Sequence, residues 1–261
     1  MLRKIKNNYL VITKSENDLS DCLKYFEEAG LRTIPFPTIS MSLATASPEI
    51  ETMLNRNYDY LIFTSANAVE YFLLLLKKID IELDLDLPKV IAVGDKTKNV
   101  CESNGIKVDL IPGKYSALGI IEALGKTEIE GKKFLIPRSS LAPEVIADFI
   151  TSKNGEVFNP VVYEVKVNDD PSLKGKIEFI NSVKPEFFVF TSPSSFINFK
   201  KLLKIENTQK YFADKIIAAI GDTTKSSVEN KNLKVDFVPS NFSLELLLKE
   251  FSDYIKQNFE Y

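Results

Sequence analysis

Hydroxyl and basic side chains gather wherever an apolar run of this chain stops. The runs end in Thr13-Lys14, Thr64-Ser65, Gly94-Asp95-Lys96-Thr97, Arg138-Ser139-Ser140, Thr191-Ser192 and Gly221-Asp222-Thr223-Thr224. Segments of helical periodicity follow them. A buried strand turning into a helix presents the helix's first N–H groups at the turn, and these groups and the helix dipole favour anions. Ser and Thr add hydroxyl donors, and Lys14, Lys96 and Arg138 can pair with carboxylates. The pattern suits a polyanionic ligand read mostly by amides and hydroxyls. Each Ser, Thr or Asp also has a plainer use as the cap of its own helix. Capping fits Ser116 and Ser243 better, and also Asp95 and Asp222, whose charge repels an anion. Ser65 and Ser192 suit either use. Thr97 and Thr224 lie past the cap and recur in both copies of their motif, which fits ligand binding.

The chain has no histidine. This removes Ser-His and Cys-His nucleophiles, His-ligated metals and the usual general base near neutral pH. No metal site is expected. There is no Gly-x-Gly-x-x-Gly and no phosphate-loop lysine motif, so neither a dinucleotide nor a triphosphate site is expected. The net charge of −3 argues against a nucleic-acid binder that works through phosphate contacts. Hydrophobic content of 44% and charged content of 26% are those of a soluble globular protein. The longest apolar run, residues 71–76, stops at Lys77-Lys78, well short of a membrane span. The basic start, Arg3-Lys4-Ile5-Lys6, reads as a solvated tail rather than a targeting signal. Cys22 and Cys101 have no Cys-x-x-Cys spacing and read as free buried thiols of a reducing compartment, the cytoplasm.

These residues need a strand before them and a helix after them. Tyr9-Leu10-Val11-Ile12, Tyr60-Leu61-Ile62-Phe63, Val90-Ile91-Ala92-Val93, Phe134-Leu135-Ile136, Phe187-Phe188-Val189-Phe190 and the run from Ile216 to Ile220 read as buried strands. Shorter strands are expected at residues 31–34, 108–111 and 235–238. The helix after Ser65 carries Val69, Phe72, Leu73 and Leu76 on one stripe, and the last helix carries Leu244, Leu247, Leu248, Phe251 and Ile255. Gly155 is expected to end the helix that buries Val145, Ile146, Phe149 and Ile150. Residues 35–41 and 160–167 are extended, the first containing two prolines. Strands alternating with helices mean a parallel α/β sheet.

The chain also repeats itself. Residues 59–124 align with 186–251 at a constant offset of 127, without a gap. Phe63-Thr64-Ser65 matches Phe190-Thr191-Ser192, Gly94-Asp95 matches Gly221-Asp222, Val108-Asp109 matches Val235-Asp236, and Pro112 and Ser116 match Pro239 and Ser243. A weaker echo joins Leu10-Val11-Ile12-Thr13-Lys14 to Phe134-Leu135-Ile136-Pro137-Arg138. A period near half the chain means a duplicated domain, not a solenoid. A ligand held between two similar domains is the expectation.

Leu61-Ile62-Phe63-Thr64-Ser65-Ala66-Asn67-Ala68-Val69, Val93-Gly94-Asp95-Lys96-Thr97 and Ala219-Ile220-Gly221-Asp222-Thr223-Thr224 resemble uroporphyrinogen-III synthase. So do Gly131-Lys132-Lys133-Phe134-Leu135-Ile136-Pro137-Arg138 and Phe190-Thr191-Ser192-Pro193-Ser194. The similarity runs from about residue 9 to residue 251. It implies an α/β fold of two flavodoxin-like parallel-sheet domains, a tandem duplication joined by a two-stranded extended hinge. Residues 1–36 and 168–261 would form one discontinuous domain and 42–161 the inserted one, with linkers at 35–42 and 161–168 that let the pair close on ligand.

The resemblance further implies cyclisation of hydroxymethylbilane to uroporphyrinogen III in haem biosynthesis, with loss of water, inversion of the last pyrrole ring and no cofactor. The substrate's carboxylates suit the donor-rich strand ends. The family's cleft tyrosine falls on Tyr163, which would donate a hydrogen bond to the leaving hydroxyl; its other reading is a packed linker aromatic. Cleft hydroxyls fall on Ser65, Thr97, Ser192 and Thr224. With Thr64, Thr223 and Arg138, these would bind acetate and propionate groups. Lys14 stands where bacterial members often carry the arginine of Thr-Arg-Pro, and lysine lacks the bidentate fork. Hydroxymethylbilane is then the partner, with neither nucleic acid nor membrane, and with at most transient contact with neighbouring pathway enzymes. No long exposed apolar patch is readable, which points to a monomer. Two other readings share the fold: a tetrapyrrole- or anion-binding sensor without catalysis, and a flavin- or nucleotide-binding protein.

Overall fold

The computed structural model describes residues 2–19, 23–54, 56–82 and 88–260, so the reading of Cys22 falls outside the described residues. The chain forms two compact units, Met1–Ser40 with Lys166–Tyr261, and Met41–Val165.

In chain order, β1 (Arg3–Lys4), β2 (Tyr9–Ile12), α1 (Lys24–Glu28), β3 (Arg32–Pro35) and β4 (Ile39–Leu43) come first. The middle of the chain holds α2 (Pro48–Leu54), β5 (Tyr60–Phe63), α3 (Ala66–Lys78), β6 (Lys89–Ala92), α4 (Asp95–Ser103) and α5 (Ala117–Leu124). It continues with β7 (Lys133–Leu135), β8 (Arg138–Ser139), α6 (Val145–Ser152), β9 (Glu156–Phe158) and β10 (Val161–Val167). The last part holds α7 (Leu173–Val183), β11 (Phe187–Phe190), α8 (Pro193–Leu202), α9 (Thr208–Phe212), β12 (Ile216–Ala219), α10 (Asp222–Glu229), α11 (Leu244–Asn258) and β13 (Phe259–Glu260).

Each unit is built on a four-stranded parallel sheet. In the first unit the order is β12-β11-β2-β3, and in the second β6-β5-β7-β9. Pro35, which has no N–H to give, sits on β3 at the edge of its sheet. Successive residues of the central strands face opposite layers, as the period of two requires. Leu61 and Phe63 of β5 pack with Val69, Phe72 and Leu76 of α3, whereas Tyr60 and Ile62 pack with Ile120, Leu124, Ile146 and Ile150 of α5 and α6. Likewise Phe187 and Val189 of β11 join Leu247, Leu248 and Phe251 of α11, while Phe188 and Phe190 join Phe196, Phe199 and Phe212. Both faces of each sheet are covered, which is why its strands read as unbroken apolar runs.

The strands expected at 108–111 and 235–238 shrink to single bridges, Ile91↔Leu110 and Ala218↔Phe237. The cause is the same in both places. The amides of Asp109 and Leu110 both donate to Val90 O (2.9 and 3.2 Å), and the Asp109 carboxylate accepts Val90 N–H at 2.8 Å. In the other unit Asp236 and Phe237 share Ile217 O, and the Asp236 carboxylate accepts Ile217 N–H at 3.0 Å. Two amides on one carbonyl and a side chain in the ladder stop the pairing from propagating.

With these bridges, each sheet has five positions; in its own chain order the first unit follows the flavodoxin-like 2-1-3-4-5 and the second its circular permutation 5-4-1-2-3. The first unit runs β3-β2-β11-β12-Phe237 and the second β9-β7-β5-β6-Leu110. The first unit enters through its β2–β3 half, whereas the second enters through its β5–β6 half and finishes with β7 and β9. The sequence repeat is therefore not the folded unit. Each unit combines the opening half of one repeat with the closing half of the other.

The chain passes between units within β4 and again within β10, two strands that neighbour in a sheet of order β4-β10-β8. The helix α6 ends differently from expectation. Asn154 takes the left-handed turn, at φ 59°, and Gly155 follows it. That glycine answers to space, because a Cβ there would lie 2.5 Å from Ile150 Cγ2.

Candidate active site

In the second unit, β5 ends at Thr64 and Ser65. Thr64 is half-buried. Ser65 is extended (φ −162°), and its hydroxyl caps α3 by accepting Ala68 N–H at 3.1 Å. The same hydroxyl lies 3.5 Å from the phenol oxygen of Tyr163. Tyr163 is only 7% exposed and belongs to the core beneath α3. Its ring stacks on Tyr71 of α3 with centroids 4.8 Å apart and planes at 21°. The β10–β8 register shifts between Val161 and Tyr163, an irregularity of the kind that re-aims a side chain. Burial, and then the Glu70 carboxylate, pushes the Tyr71 phenol above its ordinary range.

The next strand, β6, runs through Val93 into α4. The cap is Gly94, with no side chain to satisfy the first amides, and the helix ladder begins with Lys98 N–H to Gly94 O. Thr97 is the third residue of this helix and is 3% exposed. Asp95 is exposed and caps nothing; its carboxylate accepts the Tyr115 hydroxyl at 2.7 Å, which pushes that phenol up. The expectation that Asp95 and Asp222 cap their helices is corrected: both sit one residue inside the helix, where a carboxylate faces the dipole but cannot fold back as a cap.

The first unit repeats the arrangement. Thr13 is buried; its hydroxyl donates to Val189 O (3.1 Å) and accepts Thr191 N–H (3.2 Å), while the Thr191 hydroxyl returns to Thr13 O at 3.2 Å. Ser192 caps α8 in a reciprocal box with Ser195, and its hydroxyl is 3.0 Å from that of Ser194. Gly221 starts α10 without a side-chain cap; Thr223 is exposed, and Thr224 is 1% exposed. Ser116 and Ser243 cap α5 and α11 through Gly119 and Leu246 N–H, as expected.

The uroporphyrinogen-III synthase HemD family model matches residues 20–249 of this chain. The chain belongs to the uroporphyrinogen-III synthase family. A uroporphyrinogen-III synthase of Chlorobaculum parvum is 29% identical over 255 residues, covering 95% of this chain and 99% of the relative. One from Synechococcus elongatus is 25% identical over 260 residues, covering 95% and 96%. Among solved structures, a mutant uroporphyrinogen III synthase of Thermus thermophilus superposes with a TM-score of 0.63 at 12% identity, covering 96% of this chain and all of that one. The Helicobacter pylori uroporphyrinogen-III synthetase gives 0.60 at 18%, covering 95% and 100%. At these identities the superpositions speak for the fold. Among the described residues, no helix is long and apolar enough to cross a membrane.

Set against the family expectations, Ser65 and Tyr163 are brought together, and Thr97 and Thr224 take the same buried place in their two helices. Arg138 is committed elsewhere. Its guanidinium donates to Asn159 O (3.1 Å), Ala142 O (3.4 Å) and the Glu144 carboxylate (2.8 Å), which ties the β8 turn to the start of α6. Lys14 is half-buried where β2 ends, its N–H donating to Ile12 O. Sequence reasoning passed over Tyr115 and Phe242. The signal was available: the two are related by the same offset of 127, and each immediately precedes a matched cap serine.

Proposed function

We propose that this protein cyclises hydroxymethylbilane to uroporphyrinogen III, losing one water and inverting the last pyrrole ring. The family match over residues 20–249 carries this reading. The units Met1–Ser40 with Lys166–Tyr261 and Met41–Val165 serve as the two domains of the synthase. The substrate's acetates and propionates are taken by the uncapped first turns of α4 and α10, where Thr97 and Thr224 add hydroxyls, and by Thr64, Ser65, Ser192 and Thr223. Tyr163 donates a hydrogen bond to the departing hydroxyl. A proton reaches the hydroxyl as the C–O bond breaks, so the oxygen leaves as water with the bond's electron pair and an azafulvene cation remains. The last ring then attacks through its substituted carbon and a spiro-pyrrolenine forms; its rearrangement closes the macrocycle through that ring's free α carbon, which gives up one proton and so balances the one taken up, and the ring is left inverted.

The hydroxyl leaves easily from such a pyrrole, so the protein's main task is to hold a flexible chain in one folded shape. A chain without histidine is adequate for that. We read the protein as a cytoplasmic monomer that meets neighbouring pathway enzymes only transiently. Incubating it with hydroxymethylbilane and separating the oxidised products tests the function. Isomer III is expected; isomer I alone, the spontaneous product, would refute the reading.

A further inference from the structure

On the synthase reading above, we propose that Tyr115 and Phe242 are platforms on which pyrrole rings of the linear tetrapyrrole rest, one at each repeated Gly-Asp turn. Gly94 and Gly221 have φ of −179° and −176°, extended values open to any residue, so conformation does not require glycine there. At Gly94 space does: a Cβ there would fall 2.8 Å from Tyr115 Cδ2, whereas one on Gly221 would fall 3.1 Å from Phe242 Cγ, a tight contact that a small shift of the ring relieves. In each unit an aromatic ring is therefore laid on bare backbone at the carboxyl end of a strand.

The two rings are presented by the same local turn. Ser116 N–H donates to Lys114 O and Ser243 N–H to Asn241 O, both at 2.8 Å, and the aromatic is the central residue each time. A ring seated only for packing would be covered, but Tyr115 remains 62% exposed and Phe242 59%. Each ring keeps open surface beside a helix start that lacks a side-chain cap and carries a buried threonine three residues on. An apolar aromatic surface next to an anion-favouring turn matches the chemistry of a pyrrole bearing carboxylate arms. The two platforms differ in one respect: Asp95 holds the Tyr115 hydroxyl at 2.7 Å, whereas Phe242 has no hydroxyl to be held.

The test compares wild type with Tyr115→Leu, Phe242→Leu and Phe242→Trp. It measures KM, kcat, the isomer III to isomer I ratio, the thermal midpoint, and binding of uroporphyrin followed in its visible absorbance. Each Leu variant is expected to raise KM about tenfold and weaken uroporphyrin binding to a similar degree. The thermal midpoint should hold within about 2 °C, since the rings are largely exposed. Isomer I should rise, and Phe242→Trp should return KM to within about twofold of wild type. Leu variants with unchanged KM and binding, in a wild type that makes isomer III, would overturn the platforms and leave the synthase reading standing. Leu variants that melt early, with no rescue by Trp, would make the rings packing elements and also overturn the proposal. A wild type that makes no isomer III, while the Leu variants still lose uroporphyrin binding, would sink the enzyme reading and uphold the platforms.

Discussion

The hydroxyl of Ser65, which caps α3, and the phenol of Tyr163, which is held flat against Tyr71 of the same helix, lie 3.5 Å apart. One helix thus fixes both groups, the first through its N-terminus and the second through a ring stacked on its side. The phenol is held where strand β5 ends, with its orientation set before any substrate arrives.

Replacing Tyr163 by Phe keeps the stack and the packing and removes only the hydroxyl. The expected result is a kcat lower by about 10- to 100-fold with a thermal midpoint nearly unchanged. Steady-state rates alongside a melting curve decide it. A full rate in Tyr163→Phe would leave the residue a packed aromatic and nothing more.

Ser65 has two partners that separate by substitution. Ser65→Ala loses the cap and is expected to cost about 1 kcal/mol of stability, or a few degrees of melting temperature. Ser65→Asn restores a capping oxygen and should recover most of that stability without restoring a hydroxyl beside Tyr163. If both variants melt alike, the cap contributes little at this position.

Thr97 and Thr224 can each be changed to valine at nearly constant volume. The carboxylate-binding role predicts a KM about three- to tenfold higher for either single variant, with a smaller effect on kcat. Additivity in the Thr97→Val, Thr224→Val double variant is expected because the two lie in separate helices of separate units. Unchanged KM values in both would return these threonines to a purely internal role.

Stability should fall as pH rises beyond 9. Burial pushes the Cys101 thiol from 9.0 to about 11 and the Tyr211 phenol from 10.0 to about 12. Each folded group keeps its proton where the unfolded group has lost it, so the unfolded state binds fewer protons and stability declines with pH. The Cys101 part is fully present below pH 9 and is lost through pH 11; the Tyr211 part follows between 10 and 12. Denaturant titrations at pH 8, 9.5 and 11 measure the decline, expected to be of order 2 kcal/mol for the thiol. Cys101→Ala should flatten the part below pH 11.

Much of the fold was readable because its strands are short apolar runs with both faces covered, bounded by Gly, Pro, Ser and Thr. Phe187-Phe188-Val189-Phe190 sits where expected, as do the stripes of α3 and α11. The edge positions were misread for a specific reason. Val108 and Val235 carry strand-like residues, but whether an edge propagates depends on which donors its neighbour has left. Asp109 and Asp236 occupy the amides of Val90 and Ile217 through their carboxylates, a partnership across 19 positions that periodicity does not report. Arg138 was a fair candidate by type and place. Its three contacts with Asn159, Ala142 and Glu144 come from the path of the following turn, which its own residue type cannot reveal.

By itself, the sequence determined the parallel α/β class, the duplication at an offset of 127, and the exclusion of histidine chemistry. These follow from periodicity, repetition and side-chain type, all of which are local or countable. Tertiary structure alone decided how the halves of the repeat are shared between units, that Gly94 and Gly221 lie close under the rings of Tyr115 and Phe242, and that Ser65 meets Tyr163. Each of these depends on which distant segments occupy the same few ångströms, and hydrophobic burial selects that arrangement only once the whole chain is packed.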